Sequence, residues 1–223
     1  MDTTTRETSP RVFPDHPAAL TPVFDALGVP PPVKPVIERL SVNAPEISPP
    51  GHRMESVLKV DPSEGNGFLL AIDIQNEPDD AKLLNWACHV THLQMTCERP
   101  VLLLVICRNR FTATWALGPF ESRIGAWISH SLHPLVLGPD NLPEITDAST
   151  VIRQPALATL AAIAHGESPR ITAAREALAR GLRSLDNHTS VYLCELLEAG
   201  LLDAPARGTW RELLRPPMPE QIM

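Results

Sequence analysis

The run FLLAIDIQNE, residues 68–77, decides the fold. Its even positions, Phe68, Leu70, Ile72 and Ile74, carry large apolar side chains at the period of two that marks one face of a β-strand. Asp73 and Gln75 interrupt the run just before it ends and share the other face. A carboxylate inside such a strand is costly to bury unless it is paired or holds a cation. Either the strand surfaces there or chemistry takes place there.

Working upstream, HRMESVLKVD (52–61) repeats the alternation through Met54, Ser56, Leu58 and Val60, and the PSEGN cluster (62–66) between the two runs is suited to closing a hairpin. Setting Asp61 opposite Gly67 gives a five-residue loop and pairs whose residue numbers sum to 128. Glu55 then falls opposite Asp73. A slip of two residues sets Glu55 opposite Gln75 and leaves the faces unchanged.

Further upstream, MDTTTRETSPR is polar and expected to fray. HPAALTPVFDALGV (16–29) predicts a short helix stopped at Gly28. Pro30, Pro31, Pro32, Pro35, Pro45, Pro49 and Pro50 keep most of residues 29–50 extended, as a connector or wrapping arm.

Downstream, AKLLNWACHVTHLQMTCE (81–98) has the length of a helix that crosses the sheet, with Leu83, Leu84, Ala87, Val90 and Leu93 as its expected buried face. PVLLLVIC (100–107) reads as a strand covered on both faces. RFTATWAL (110–117) reads as a strand or a short helix, the helix preferred, and HPLVLGP (133–139) as a further strand. From Ser149 the pattern turns helical, in PALATLAAIAHG, TAAREALARGLRSL and SVYLCELLEAGLL, and the chain closes on a proline-bearing tail. The expected organisation is a proline-rich arm with a short helix over 1–50, an α/β core over 51–148 and a helical region with its tail over 149–223.

Composition narrows the function classes. The chain has 223 residues, 43% hydrophobic and 20% charged, enough for a substantial core. Its formal net charge is −7, so any contact with a polyanion requires a local basic patch. No apolar run approaches the roughly 20 residues of a membrane span, and no membrane role is expected. Cys88, Cys97, Cys107 and Cys194 sit in apolar or helical contexts, and the chain opens on no leader-like segment, which predicts a cytoplasmic protein with reduced thiols. Neither GxxxxGK nor GxSxG occurs, which removes the main supports for nucleotide-hydrolysing and serine-hydrolase readings.

The hairpin thus brings Glu55, Asp73 and Gln75 together. Two adjacent carboxylates repel unless a cation neutralises them, and an oxygen-only ligand set suits Mg²⁺ or Mn²⁺. Such an ion supports phosphodiester hydrolysis. The ordinary alternative for both acids is that of strand-end charges reaching water.

A second cluster, Cys88, His89, His92 and Cys97, offers zinc-type ligands, but on a helix the two cysteines point about 180° apart, which favours packing. His130 and His133 read as loop or surface residues. Arg175, Arg180 and Arg183 span about 140° of one helix and, with Arg170, read as a solvated face. Lys82, Arg99, Arg108 and Arg110 lie nearer the proposed site and are better phosphate contacts. Trp86 and Trp115 are expected in the core.

These residues carry a resemblance. Glu55 in RMESVLKV followed by Asp73 and Gln75 in LLAIDIQ is similar to the acidic, then acidic-x-polar, signature of PD-(D/E)XK nucleases. KLLNWACHVTHLQMTCERPVLLLVIC, ATWA, PLVLGPDNLPEITD and PALATLAAIAHG resemble the actinobacterial branch of the recombination-promoting nuclease family, often labelled transposase-like, over roughly residues 52–166. The resemblance implies a restriction-endonuclease-like α/β fold, a mixed sheet flanked by helices with a C-terminal helical appendage. It further implies a bound Mg²⁺ or Mn²⁺ and endonucleolytic cleavage of DNA, with Glu55 and Asp73 as catalytic metal ligands and Gln75 as the polar partner. Relative to the family pattern the two acids are exchanged in length, and Leu83 and Leu84 stand where an aromatic residue and an arginine usually follow. That exchange motivates a rival expectation, a catalytically degenerate relative that binds a protein or nucleic acid. A homo-oligomer or a partner subunit docked on the arm and tail is the third.

Overall fold

In the computed structural model, the described residues are 17–40, 54, 56–201 and 204–214. Glu55 and the remainder of the proline-rich segment, residues 41–53, lie outside them. A 3₁₀ turn (Pro17–Leu20) leads into α1 (Thr21–Ala26), and the chain then forms β1 (Val36–Arg39), β2 (Ser56–Asp61) and β3 (Phe68–Gln75). There follow α2 (Asp80–Cys97), β4 (Val101–Cys107), α3 (Arg110–Ala116), β5 (Phe120–Ile124), β6 (Trp127–Leu132) and β7 (Leu135–Leu137). Five helices complete the described chain: α4 (Ala148–Arg153), α5 (Pro155–Ala164), α6 (Ile171–Leu182), α7 (Asn187–Gly200) and α8 (Ala204–Leu214).

Among the described residues five strands make one mixed sheet in the order β1-β2-β3-β4-β7. β2 runs antiparallel to both of its neighbours, β1 and β3, whereas β3, β4 and β7 run parallel. The β2–β3 register is the one the turn predicts, from Ser56↔Ile72 to Val60↔Phe68, with residue numbers summing to 128. The even face of β2 and β3 (Leu58, Val60, Leu70, Ile72, Ile74) enters one hydrophobic cluster with Val23 and Phe24 of α1 and the apolar sides of α5, α6 and α7. The odd face (Val57, Leu69, Ala71) packs with Leu103, Val105 and Cys107 under Trp86 and Leu93 of α2 and Ala113 and Ala116 of α3. The sheet is therefore covered on both faces, which is why its central strands are apolar at nearly every position.

The structure corrects three expectations. The segment after the clustered prolines is more than a connector, because Val36–Arg39 forms edge strand β1 against β2. Between Pro35 and Pro45 each residue keeps its N–H, so this stretch is free to join a ladder. The buried face of α2 overlaps the predicted one only in part: Leu93 is buried and Leu83 and Val90 pack against the cluster as expected, but Leu84 is 73% exposed and Asn85 and His89 are buried beside Trp86. Residues two apart on a helix point about 200° apart, so once Trp86 faces the sheet, Leu84 must face away. Finally, His130 and His133 are exposed, as expected, but the segment carrying His130 is no loop: it is strand β6 of a separate hairpin with β5, its turn opened by Gly125 at φ 60°.

Close helix contact within the C-terminal layer depends on Gly181. A Cβ there would meet Cγ1 of Val151, lie 2.6 Å from its Cβ, and approach the Ala148 carbonyl at 3.3 Å. Alanine gains about 1 kcal/mol of helix propensity over glycine, but Val151 is buried and stiff at χ1, and overpacking costs about 1–3 kcal/mol. The clash wins. Gly181→Ala is expected to lower the urea midpoint by the equivalent of about 1–2 kcal/mol; an unchanged or raised midpoint would show that α4 yields.

Candidate functional site

β3 and β4 are parallel, so their C-terminal ends emerge at the same edge of the sheet, where α/β folds commonly place ligands. Asp73 and Gln75 stand at that edge on the face covered by α2. The turn after Gln75 returns directly into α2, capped by Asp79, whose side chain accepts from the Ala81 N–H at 2.9 Å. The first two turns of the helix consequently sit over the end of the strand they follow.

Asp73 is 1% exposed, so it is not a strand-end charge reaching water. Its Oδ2 accepts a hydrogen bond from Trp86 Nε1 at 2.8 Å and lies 3.2 Å from Lys82 Nζ, which is 3.5 Å from Oδ1. Lys82 and Trp86 are four residues apart, on one side of α2. Trp86 is held in turn by an aromatic triangle, with ring centroids 5.6 Å from Trp115 and 6.0 Å from Phe120. Its N–H is therefore a fixed donor.

Gln75 is 5% exposed and its amide is only half satisfied. Nε2 donates to the Glu77 carbonyl at 2.7 Å, which orients the group, and leaves Oε1 buried without a donor among the described residues. A buried acceptor left open in this way is uncommon and points to a missing donor or cation. Beside it in the parallel ladder is Cys107, whose thiol is pushed up to about 12, first by burial and then by the negative charge of Asp73. At neutral pH Cys107 is a protonated apolar neighbour with no role as nucleophile.

The next residues tie the edge together. Asn109 caps α3 by accepting from the Thr112 N–H at 2.8 Å, and Thr112 Oγ1 donates to the Asn76 carbonyl at 3.2 Å. Arg108 turns to the other side, where Nη2 reaches the Gly166 carbonyl at 3.4 Å and Nε and Nη1 have no acceptor.

Of the predicted site residues, Asp73 and Gln75 are brought together as expected. Glu55 lies outside the described residues, and the described ladder begins at Ser56↔Ile72. Among the described residues no three His, Cys, Asp or Glu side chains are grouped to hold a metal ion. The zinc-type cluster is dispersed, with His89 buried and its Nδ1 2.7 Å from the Asn85 carbonyl, while Cys88 and Cys97 are half-buried free thiols. Most of the basic candidates are engaged. Arg99 pairs with Asp61, Arg110 with Asp140 at 2.7 Å, Arg170 with Glu144 at 3.8 Å and Arg180 with Glu176 at 3.8 Å.

The residues missed as partners of Asp73 are Lys82 and Trp86. Their signal is spacing. A helix beginning seven residues after the acid returns over the strand, so positions nine and thirteen residues on, one helical turn apart, face it.

Compared with known proteins, the chain matches no family model, no curated protein and no solved structure. Among the described residues no helix is long and apolar enough to cross a membrane.

Proposed function

We propose that the chain is a divalent-metal-dependent DNA endonuclease hydrolysing phosphodiesters, with a restriction-endonuclease-like core of the recombination-promoting nuclease type. One observation carries the reading: a fully buried carboxylate and an unsatisfied amide oxygen, Asp73 and Gln75 Oε1, share one face at the C-terminal edge of a parallel strand pair. The sequence supplies a second carboxylate, Glu55, one residue before the start of β2. Hard cations take oxygen ligands, and an orphaned buried oxygen beside a carboxylate fits that preference. Glu55 and Asp73 would hold Mg²⁺ or Mn²⁺, which when bound supplies Lewis-acid stabilisation of the phosphoryl charge. Gln75 Oε1 accepts a hydrogen bond from the attacking water and orients it. Trp86 fixes the Asp73 carboxylate, and the α2 side of the site excludes bulk water. With a net charge of −7, DNA is drawn in by local groups rather than by the mean field.

The decisive measurement is nicking of supercoiled plasmid with Mg²⁺ or Mn²⁺. Asp73→Asn keeps the shape of the side chain and an acceptor for Trp86. Several kcal/mol of lost charge stabilisation, at 1.36 kcal/mol per tenfold, predicts a fall of about 100-fold or more. Equal nicking by both proteins removes the assignment.

One observation favours a second reading. Lys82 and Trp86 satisfy Asp73 with protein donors alone, as in a catalytically degenerate nuclease-fold module that binds nucleic acid or a protein partner, as a monomer or homo-oligomer. Retention of plasmid in a gel-shift experiment, with no nicking and no effect of Asp73→Asn, would establish that reading instead.

A further inference from the structure

Lys82 stands where a cation would stand. Its Nζ lies 3.2 Å and 3.5 Å from the two oxygens of Asp73, astride the carboxylate. Trp86 Nε1 binds Oδ2 as a neutral donor, so the aspartate stays anchored whatever neutralises it. Gln75 Oε1, on the same face, has no donor among the described residues, so the ammonium satisfies only part of the oxygen set that this edge presents. The Lys82 side chain is 17% exposed against 2% for that of Asp73, and a lysine head sits on a flexible four-carbon stem. The ammonium can leave toward solvent without any backbone movement. The carboxylate cannot follow it.

We propose that Lys82 is a built-in counter-ion that occupies Asp73 in the metal-free protein and is displaced when a divalent cation binds. The inference rests on the metal-site reading above and assigns its regulation. Without metal the ammonium removes the penalty of a bare buried carboxylate and keeps the site folded. With metal, two cations on one carboxylate repel, and the ammonium is released toward the mouth of the site, where a phosphate oxygen is its natural partner. Metal affinity is therefore lowered by the energy of the internal ion pair, which makes loading depend on metal concentration.

Mn²⁺ binding to the full-length chain, followed by calorimetry and by tryptophan emission, tests this. Lys82→Gln keeps a hydrogen-bond donor near Oδ2 and removes the charge; it is expected to bind Mn²⁺ about tenfold or more tightly than the native chain, yet to nick plasmid more slowly. Lys82→Met is expected to melt lower without metal and to recover more on adding Mn²⁺ than the native chain does; if it fails to fold, Lys82→Gln decides alone. Asp73→Asn is expected to lose the site. Equal Mn²⁺ affinity in Lys82→Gln and the native chain, with loss in Asp73→Asn, would overturn the counter-ion role and leave the metal site standing. Absence of binding in every variant at millimolar Mn²⁺ would overturn both.

Discussion

Replacing Asp73 by alanine is expected to destabilise the fold by about 3–5 kcal/mol, a large share of a domain's usual margin. The loss comes from what is left behind rather than from the carboxylate itself. Lys82 would keep a mostly buried ammonium without its partner, and Trp86 would keep a buried N–H without an acceptor. An unsatisfied buried donor alone costs about 1–3 kcal/mol. The partial exposure of Lys82 places the result toward the lower end, since the ammonium can turn outward. Removing both partners at once should relieve the charge term, so Asp73→Ala/Lys82→Met is expected to be more stable than the sum of the single losses by about 1–3 kcal/mol. Urea unfolding of the four proteins at one pH measures this coupling. Strict additivity would show that the two groups do not interact and would undercut the site as described.

The second large effect is expected at Trp86. It is among the largest fully buried side chains and joins the sheet, α2 and the β5 segment through Trp115 and Phe120. Truncation to alanine removes its packing, about 3–5 kcal/mol, and also deprives Asp73 of a hydrogen bond. Phenylalanine partly separates the two contributions, because it keeps one aromatic ring while losing the N–H and the remaining ring volume. A hydrogen bond to a charged group contributes about 1.5–3 kcal/mol. Trp86→Phe should therefore fall between the native chain and Trp86→Ala in urea midpoint. A phenylalanine variant as stable as the native chain would mean that Asp73 does not depend on the indole.

The legible parts of the fold were those fixed by local chemistry. The PSEGN turn and the alternation of its flanks set the β2–β3 register, because a slip by one residue would exchange the core and solvent faces of both strands. The PVLLLVIC strand, the short RFTATWAL helix and the β7 strand follow from apolar runs bounded by turn residues. The buried side of α2 was not legible, since periodicity alone cannot choose between Leu84 and a stripe led by Trp86 that includes Asn85 and His89. Those polar residues are tolerated there because Asn85 donates to the Ala81 carbonyl at 2.9 Å and His89 engages the Asn85 carbonyl. Strands β5 and β6 were hidden for a related reason. Ile124 and Trp127 are exposed, the latter at 81%, so the hairpin lacks an inside face to impose an alternating pattern.

At the site, Asp73 and Gln75 were readable as anomalies within an apolar strand. Their partners were not, because Lys82 reads as a phosphate contact near the site and Trp86 as core. Only the return of α2 over the end of β3 turns both into neighbours of one carboxylate.

The division of the sheet's covering between two stretches of chain also bears on synthesis. One side is roofed by α2 and α3, which lie between and just after the central strands, whereas the opposite side waits for α5, α6 and α7, which end only at Gly200. A ribosome adding about 5–20 residues per second leaves Leu70, Ile72 and Ile74 with only α1 to cover them for several seconds after β4 has emerged. During that interval the nascent chain offers a half-finished sheet to any chaperone, or to a neighbouring polypeptide, that arrives first.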